Sequence, residues 1–155
     1  MPSFTQNKTL PYKAQQIYQL VMGIEKYPEF LPWCSQARII EKISEENLIA
    51  DFLINFKNFF EKYTSDVKHG KISEGLYFVD VAAIKGPFKS LVNKWSFRDL
   101  ADGSCAVEFF IDFQFNSIFL EKIMGGFFEK ATAKMMSAFE TRADAVFQPT
   151  QSGHN

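Results

Sequence analysis

Four polar side chains fall on segments that are otherwise greasy: Tyr63, Ser65, Asn93 and Trp95. Tyr63 and Ser65 lie two apart, as do Asn93 and Trp95, so each pair projects from one face of an extended strand. A phenol, a hydroxyl, an amide and an indole N–H among apolar neighbours can orient a guest through its carbonyl or hydroxyl. The alternative is that they satisfy one another, because buried polar groups need partners. Catalytic chemistry has much less to draw on. The histidines are His69, expected at a hairpin tip, and His154, near the C-terminus. Neither has a cysteine or carboxylate at metal-ligand spacing, and neither suits a Ser-His-Asp or Cys-His site. Phosphate-loop patterns are absent, since Gly125-Gly126 is followed by Phe127-Phe128. Cys34 and Cys105 form no CxxC and are expected to be reduced thiols. No metal, no catalytic residue and no obligatory cofactor is expected.

These residues need strands to carry them. Residues 3–9 suggest a short strand, and Pro11 opens a helix whose apolar positions Ala14, Ile17, Tyr18, Val21 and Met22 recur at helical spacing up to Gly23. Pro28 then starts a stub helix that Pro32 ends. From residue 35 the period becomes two, broken at Ser44–Asn47, Lys57-Asn58, His69-Gly70, Lys85–Pro87 and Ala101–Gly103. Such short connections imply an antiparallel meander. Its last strand is clearest: Val107, Phe109, Ile111, Phe113 and Phe115 make one wholly apolar face, and Leu91, Trp95 and Phe97 share a face with Asn93 in the strand before.

Ser117 caps a long helix predicted to reach about Phe147. Leu120, Met124, Phe127, Phe128, Ala131, Met135, Ala138, Phe139 and Arg142 form its stripe. The glycine pair inside it costs about 1 kcal/mol per residue relative to alanine, which suggests close packing or a weak point that admits a guest. One α+β domain over 1–147 follows, with a disordered tail at 148–155. About six to seven antiparallel strands curve around the last helix, the only element long and amphipathic enough to cover them.

The chain has 155 residues, a formal net charge of −1 and 18 phenylalanines. No global basic field attracts nucleic acid, DNA included, or an anionic membrane. No secretory signal is expected, and no apolar run approaches the ~18 residues of a membrane span, so a soluble, cytoplasmic protein is anticipated. Between residues 57 and 94 there are seven lysines against four acids. They make a solvated sheet face, or a weak docking patch for ribosomal RNA or anionic lipid head groups. A Phe-rich interior brings large rigid apolar area with no hydrogen-bonding atom. Laid in a curved sheet, one helix leaves room beside it, which protein or a lipid-like molecule must fill.

"YPEFLPWC", "GPFKSLVNKWSF" and "CAVEFFIDFQFNSIFLEKIMGGFFEKATAKMMSAFETRA" resemble the coenzyme Q-binding protein and ribosome association toxin family, within the START-like polyketide cyclase superfamily. The resemblance spans about residues 2–147 and implies a helix-grip fold enclosing an apolar tunnel. It implies non-enzymatic binding of ubiquinone or a related polyprenyl lipid in support of respiration, with peripheral contact at the inner membrane. The alternative it implies is a toxin that binds the large ribosomal subunit and blocks subunit joining. The opening segment would lie over one end of the tunnel, with Phe30, Leu31 and Trp33 as a stiff apolar lip. The expected walls are Phe52, Ile54, Leu91, Phe109, Ile111, Phe113, Leu120, Met124, Phe127, Phe128, Ala131 and Met135. The head group would sit against Tyr63, Ser65, Asn93 and Trp95.

Overall fold

The structure is a computed structural model that describes residues 3–56, 59–124 and 128–148. Strand β1 (Ser3–Leu10) is followed by helix α1 (Ala14–Met22), a 3₁₀ turn (Ile24–Glu29) and strands β2 (Cys34–Ser44), β3 (Asn47–Phe56), β4 (Phe59–Ser73), β5 (Leu76–Lys85), β6 (Phe88–Asp99) and β7 (Cys105–Phe115). Helices α2 (Ile118–Met124) and α3 (Phe128–Val146) complete the order. The single long helix expected from Ser117 is thus described as these two. The glycine pair and Phe127 lie outside the described residues, as does the tail from residue 149.

All seven strands pair antiparallel in the order β1-β7-β6-β5-β4-β3-β2. The six later strands are a meander, and β1 reaches the far edge because the chain crosses through α1 and the 3₁₀ turn. The period-two faces bury as expected: Val107, Phe109, Phe113 and Phe115 in β7, and Leu91, Trp95 and Phe97 in β6.

Helix α1 buries Ala14, Ile17 and Val21, and its first N–H is held by Asp99 Oδ1 at 2.7 Å. This cap comes from β6, so no local signal announces it. The helix ends at Gly23, whose φ of −75° is an ordinary one. Pro28 lies inside the 3₁₀ turn and does not open it. The Tyr27 hydroxyl donates to the Val21 carbonyl and ties the turn back to α1.

Helix α3 lies across the concave face and buries Thr132, Met136, Phe139 and Ala143. Phe139 meets the rings of Trp95, Phe30 and Tyr27 edge-on at 5.2, 5.3 and 5.4 Å. Arg142 pairs with Glu29 at 2.6 Å and lies over the Phe30 ring, while Lys8 pairs with Glu140 at 2.8 Å.

His69-Gly70 is not a hairpin tip. Both residues lie inside β4, and the turn falls at Glu74-Gly75. A Cβ on Gly70 would sit 2.3 Å from Glu46 Oε2, so glycine is there for close approach and not for chain reversal. His69 Nδ1 is 2.7 Å from the Tyr18 hydroxyl, an interior contact that the tip assignment had missed.

Candidate functional site

Between the concave sheet face, α3 and the segment ahead of β2 lies a cavity of ≈ 210 Å³. Thirteen of the expected residues line it. Leu31 and Trp33 come from the opening segment, Phe52 and Ile54 from β3, and Tyr63 from β4. Leu91, Asn93 and Trp95 come from β6, Phe109, Ile111 and Phe113 from β7, and Ala131 and Met135 from α3.

Of the remaining six, three are described and are not on its described wall. Phe30 turns to the outer side of the turn, where the Arg142 guanidinium is 5.0 Å from its ring centroid. Ser65 is fully buried but sits in register between Ala50 and Ala83, with the longer Tyr63 and Val67 reaching the cavity in its place. Leu120 packs on the satellite cluster of Leu91, Phe113 and Phe115. Phe127 and the side chains of Met124 and Phe128 lie outside what the structure describes.

Sequence reasoning missed other wall residues. Val67, Val79 and Val81 continue inward faces and were legible from period two, as was Phe115. Phe139 stood on the predicted helix stripe, whereas Tyr27, Cys34 and Phe88 were not legible, since loop and turn geometry brings them in.

Aromatic rings build much of the wall. Phe52 and Tyr63 stack at 5.2 Å, Tyr63 meets Phe88 edge-on at 5.3 Å, and Phe88 stacks on Phe115 at 5.1 Å. Trp95 is edge-on to Phe109 at 4.8 Å. Rings this rigid do not collapse into a neighbouring gap. An empty void of this size would cost up to about 5 kcal/mol at ~24 cal/mol per Å³.

The polar atoms divide in a way the sequence left open. Trp95 Nε1–H donates to Asn93 Oδ1 at 3.0 Å, and Asn93 Nδ2 donates to the Phe110 carbonyl at 2.9 Å. These two residues therefore form an internal network. Ser65 Oγ is buried without a partner, but off the cavity. Tyr63 faces the cavity, and its hydroxyl has no hydrogen-bond partner among the described residues. Burial, and then the nearby Cys34 sulfur, push its pKa well above the usual value, so it stays a protonated donor. No histidine, carboxylate or basic side chain is found on the described wall.

On this wall Trp33, Ile54 and Phe88 are half-exposed. Trp33 has φ 65°, a left-handed conformation rare for a bulky residue and held here by the Asn55 N–H donating to its carbonyl at 2.8 Å. Such strain is commonly stored at ligand clamps.

The family described as "Polyketide cyclase / dehydrase and lipid transport" matches residues 10–140. The chain belongs to it. Its architecture is the START-like helix grip: the structure titled "Crystal structure of Zhui aromatase/cyclase from Streptomcyes sp. R1128" aligns with TM-score 0.79 over 92% of this chain and 93% of its own, at 10% identity. Among relatives within the polyketide cyclase and lipid transport family, "Ribosome association toxin RatA" of Rickettsia prowazekii is 42% identical over 148 residues, 96% of this chain and 100% of its own. "Coenzyme Q-binding protein COQ10, mitochondrial" of Dictyostelium discoideum is 26% identical over 151 residues, 94% of this chain and 70% of its own. Among the described residues, no helix is long and apolar enough to cross a membrane, and no cluster of three or more His, Cys, Asp or Glu could hold a metal.

Cys34 gives the cavity a chemical reporter. Burial pushes its thiol up to about 11, and the other thiol, Cys105, is fully buried. Raised from 9.0, it carries about a hundredfold less thiolate near neutral pH. Maleimide labelling of Cys34 is expected to be slow at pH 7, to quicken as pH rises towards 11, and to slow again when the cavity is occupied. Labelling that ignores added ligand would count against occupancy of this space.

Proposed function

We propose that the chain is a non-enzymatic binder of a hydrophobic ligand of the polyprenyl quinone class, serving respiratory electron transport. One observation carries this reading: an apolar, ring-walled cavity of ≈ 210 Å³ contains a tyrosine donor, Tyr63, that no described protein group uses. A quinone offers a carbonyl to that donor and an isoprenoid tail to the rings. The volume lies below the ~300–1,000 Å³ of usual pockets, so the head group and first isoprene units fit inside and the rest of the tail emerges. The relative named for coenzyme Q binding supports the same class. Catalysis is not proposed despite the aromatase/cyclase fold neighbour, because the described wall lacks an acid–base pair.

Organic extraction of the purified protein followed by mass spectrometry tests the reading, and a polyprenyl quinone or related lipid is the expected finding. A short-chain quinone at 100 times its dissociation constant adds about 2.7 kcal/mol of stability, visible as a thermal shift. No extracted lipid and no shift would overturn it. Tyr63→Phe removes one neutral hydrogen bond of about 0.5–1.5 kcal/mol. Quinone affinity should fall about 2- to 10-fold while hydrocarbon binding is unchanged. Equal quinone affinity would remove Tyr63 from the orienting role.

A second reading, a ribosome association toxin acting on the large subunit, is favoured by the relative of that name at 42% identity. It expects salt-sensitive co-sedimentation with large subunits. The lysine-rich stretch supports it weakly, because Lys62, Lys68 and Lys71 are already paired with Asp51, Asp66 and Glu74.

A further inference from the structure

The segment ahead of β2 divides two spaces. Leu31 and Trp33 line the internal cavity, Phe30 lies on the outer side, and Pro32 lines both. Outside, Phe30 and Pro32 form one wall of a groove of ≈ 460 Å³ whose other wall is α3. Lys134, Ala138, Thr141 and Ala145 follow that groove at steps of four, three and four residues, so it runs along one helix face. From Lys134 to Ala145 the helix rises about 16 Å. The small side chains of Ala138, Thr141 and Ala145 let a guest's backbone come close to the helix.

This groove is basic on a chain that is not. The formal net charge is −1, yet the groove is lined by Lys134 and Arg142 and by no acid among the described residues. Lys130 stands one turn before Lys134. Both are exposed, and neither has an ion-pair partner among the described residues. Like charges one turn apart weaken a helix slightly, and a guest's carboxylate between them relieves that repulsion. Arg142 shows what the groove accepts. The Glu29 carboxylate already sits on it at 2.6 Å, next to the Phe30 ring that the guanidinium covers. Ser137 and Thr141, exposed and one turn apart, offer hydroxyls to a peptide backbone.

Shape and charge together select the guest. A groove about 16 Å long takes about five extended residues or about three helical turns; a compact metabolite would leave most of it empty. A nucleic acid would find few free cations for its phosphates. Being concave, the groove has nothing to insert into a bilayer. We propose that it is a docking site for an acidic segment of a partner protein, with carboxylates on Lys130 and Lys134 and an apolar side chain against Phe30 and Pro32. The site goes beyond the carrier reading and stands without it.

A displayed dodecapeptide library is selected on the immobilised full chain, and the recovered sequences are titrated as fluorescent peptides by polarisation. Sequences rich in Asp and Glu with at least one large apolar residue are expected. Lys130→Glu combined with Lys134→Glu should weaken their binding about tenfold or more. Thr141→Trp, which fills the groove from an exposed position, should abolish it. Reversing Lys42 and Lys89, exposed lysines that do not line the groove, should change it less than about twofold. The thermal midpoint of each variant shows whether it is folded; if Thr141→Trp is not, the lysine pair decides. Recovery of basic or uncharged sequences, binding that survives reversal of Lys130 and Lys134, or equal weakening by the Lys42 and Lys89 reversal would overturn the site. So would an RNA oligonucleotide that needs Lys130 and Lys134 while no acidic peptide is recovered. The short-chain quinone shift is measured separately on the unaltered chain, so its absence would remove the carrier reading and leave the groove standing.

Discussion

Ala131→Phe will cost the protein its ligand and leave its fold intact. Ala131 faces the cavity from the start of α3, one turn ahead of Met135. A phenyl ring there projects into a space of only ≈ 210 Å³, already walled by rings that cannot retreat. Quinone affinity should drop about 100-fold or more, some 2.7 kcal/mol. Stability without ligand should move little or rise, because the ring fills a void whose emptiness is unfavourable; overpacking typically costs ~1–3 kcal/mol. Fluorescence titration and urea unfolding on the same variant separate the two effects. Unchanged affinity would mean that the ligand binds elsewhere. A collapse of stability together with affinity would mean that this space is already filled core.

The second large effect belongs to Asn93, and it is on stability. Asn93 accepts from the Trp95 indole and donates to the Phe110 carbonyl, so it links two side chains of β6 to the backbone of β7. Asn93→Leu keeps the volume and strands both partners. Each unsatisfied buried group costs about 1–3 kcal/mol, so the loss should be about 2–6 kcal/mol, shown by a lower urea midpoint at unchanged slope. If Asn93 mainly serves a ligand, the variant would lose affinity and keep its midpoint. Tyr63→Phe should behave in the opposite sense, because the hydroxyl it removes has no described protein partner. The two variants together divide the expected head-group set into a structural pair and an orienting donor.

Periodicity found the walls well where one strand face decided the matter. Phe109, Ile111 and Phe113 alternate with polar neighbours, and a sheet with one apolar face has one place to put it. The same rule extended to Val67, Val79, Val81 and Phe115 would have added four more wall residues. It failed at Ser65, where alternation gave the correct face but not the depth: two facing alanines leave a short side chain beneath its longer neighbours. On α3 the buried methionine is Met136, whereas Met135 turns to the cavity. A rotation of one residue around a helix is invisible to spacing when both neighbours are apolar. His69-Gly70 looked like a turn because glycine often marks one; here it makes room for the Glu46 side chain arriving from the β2–β3 hairpin.

By itself, then, the sequence determined the order of elements, the antiparallel meander, the apolar inner face and the poverty of catalytic groups. All of these are local, set by periods of two and 3.6 and by residue chemistry. Only the tertiary structure decided which polar atoms are already partnered and which one is left for a guest. It also decided that Trp33, on the cavity wall, takes a left-handed conformation. The physical reason is that a partner or a neighbour is a property of two segments brought together, and the distance between them is fixed by strand register and helix placement, which neither segment encodes alone.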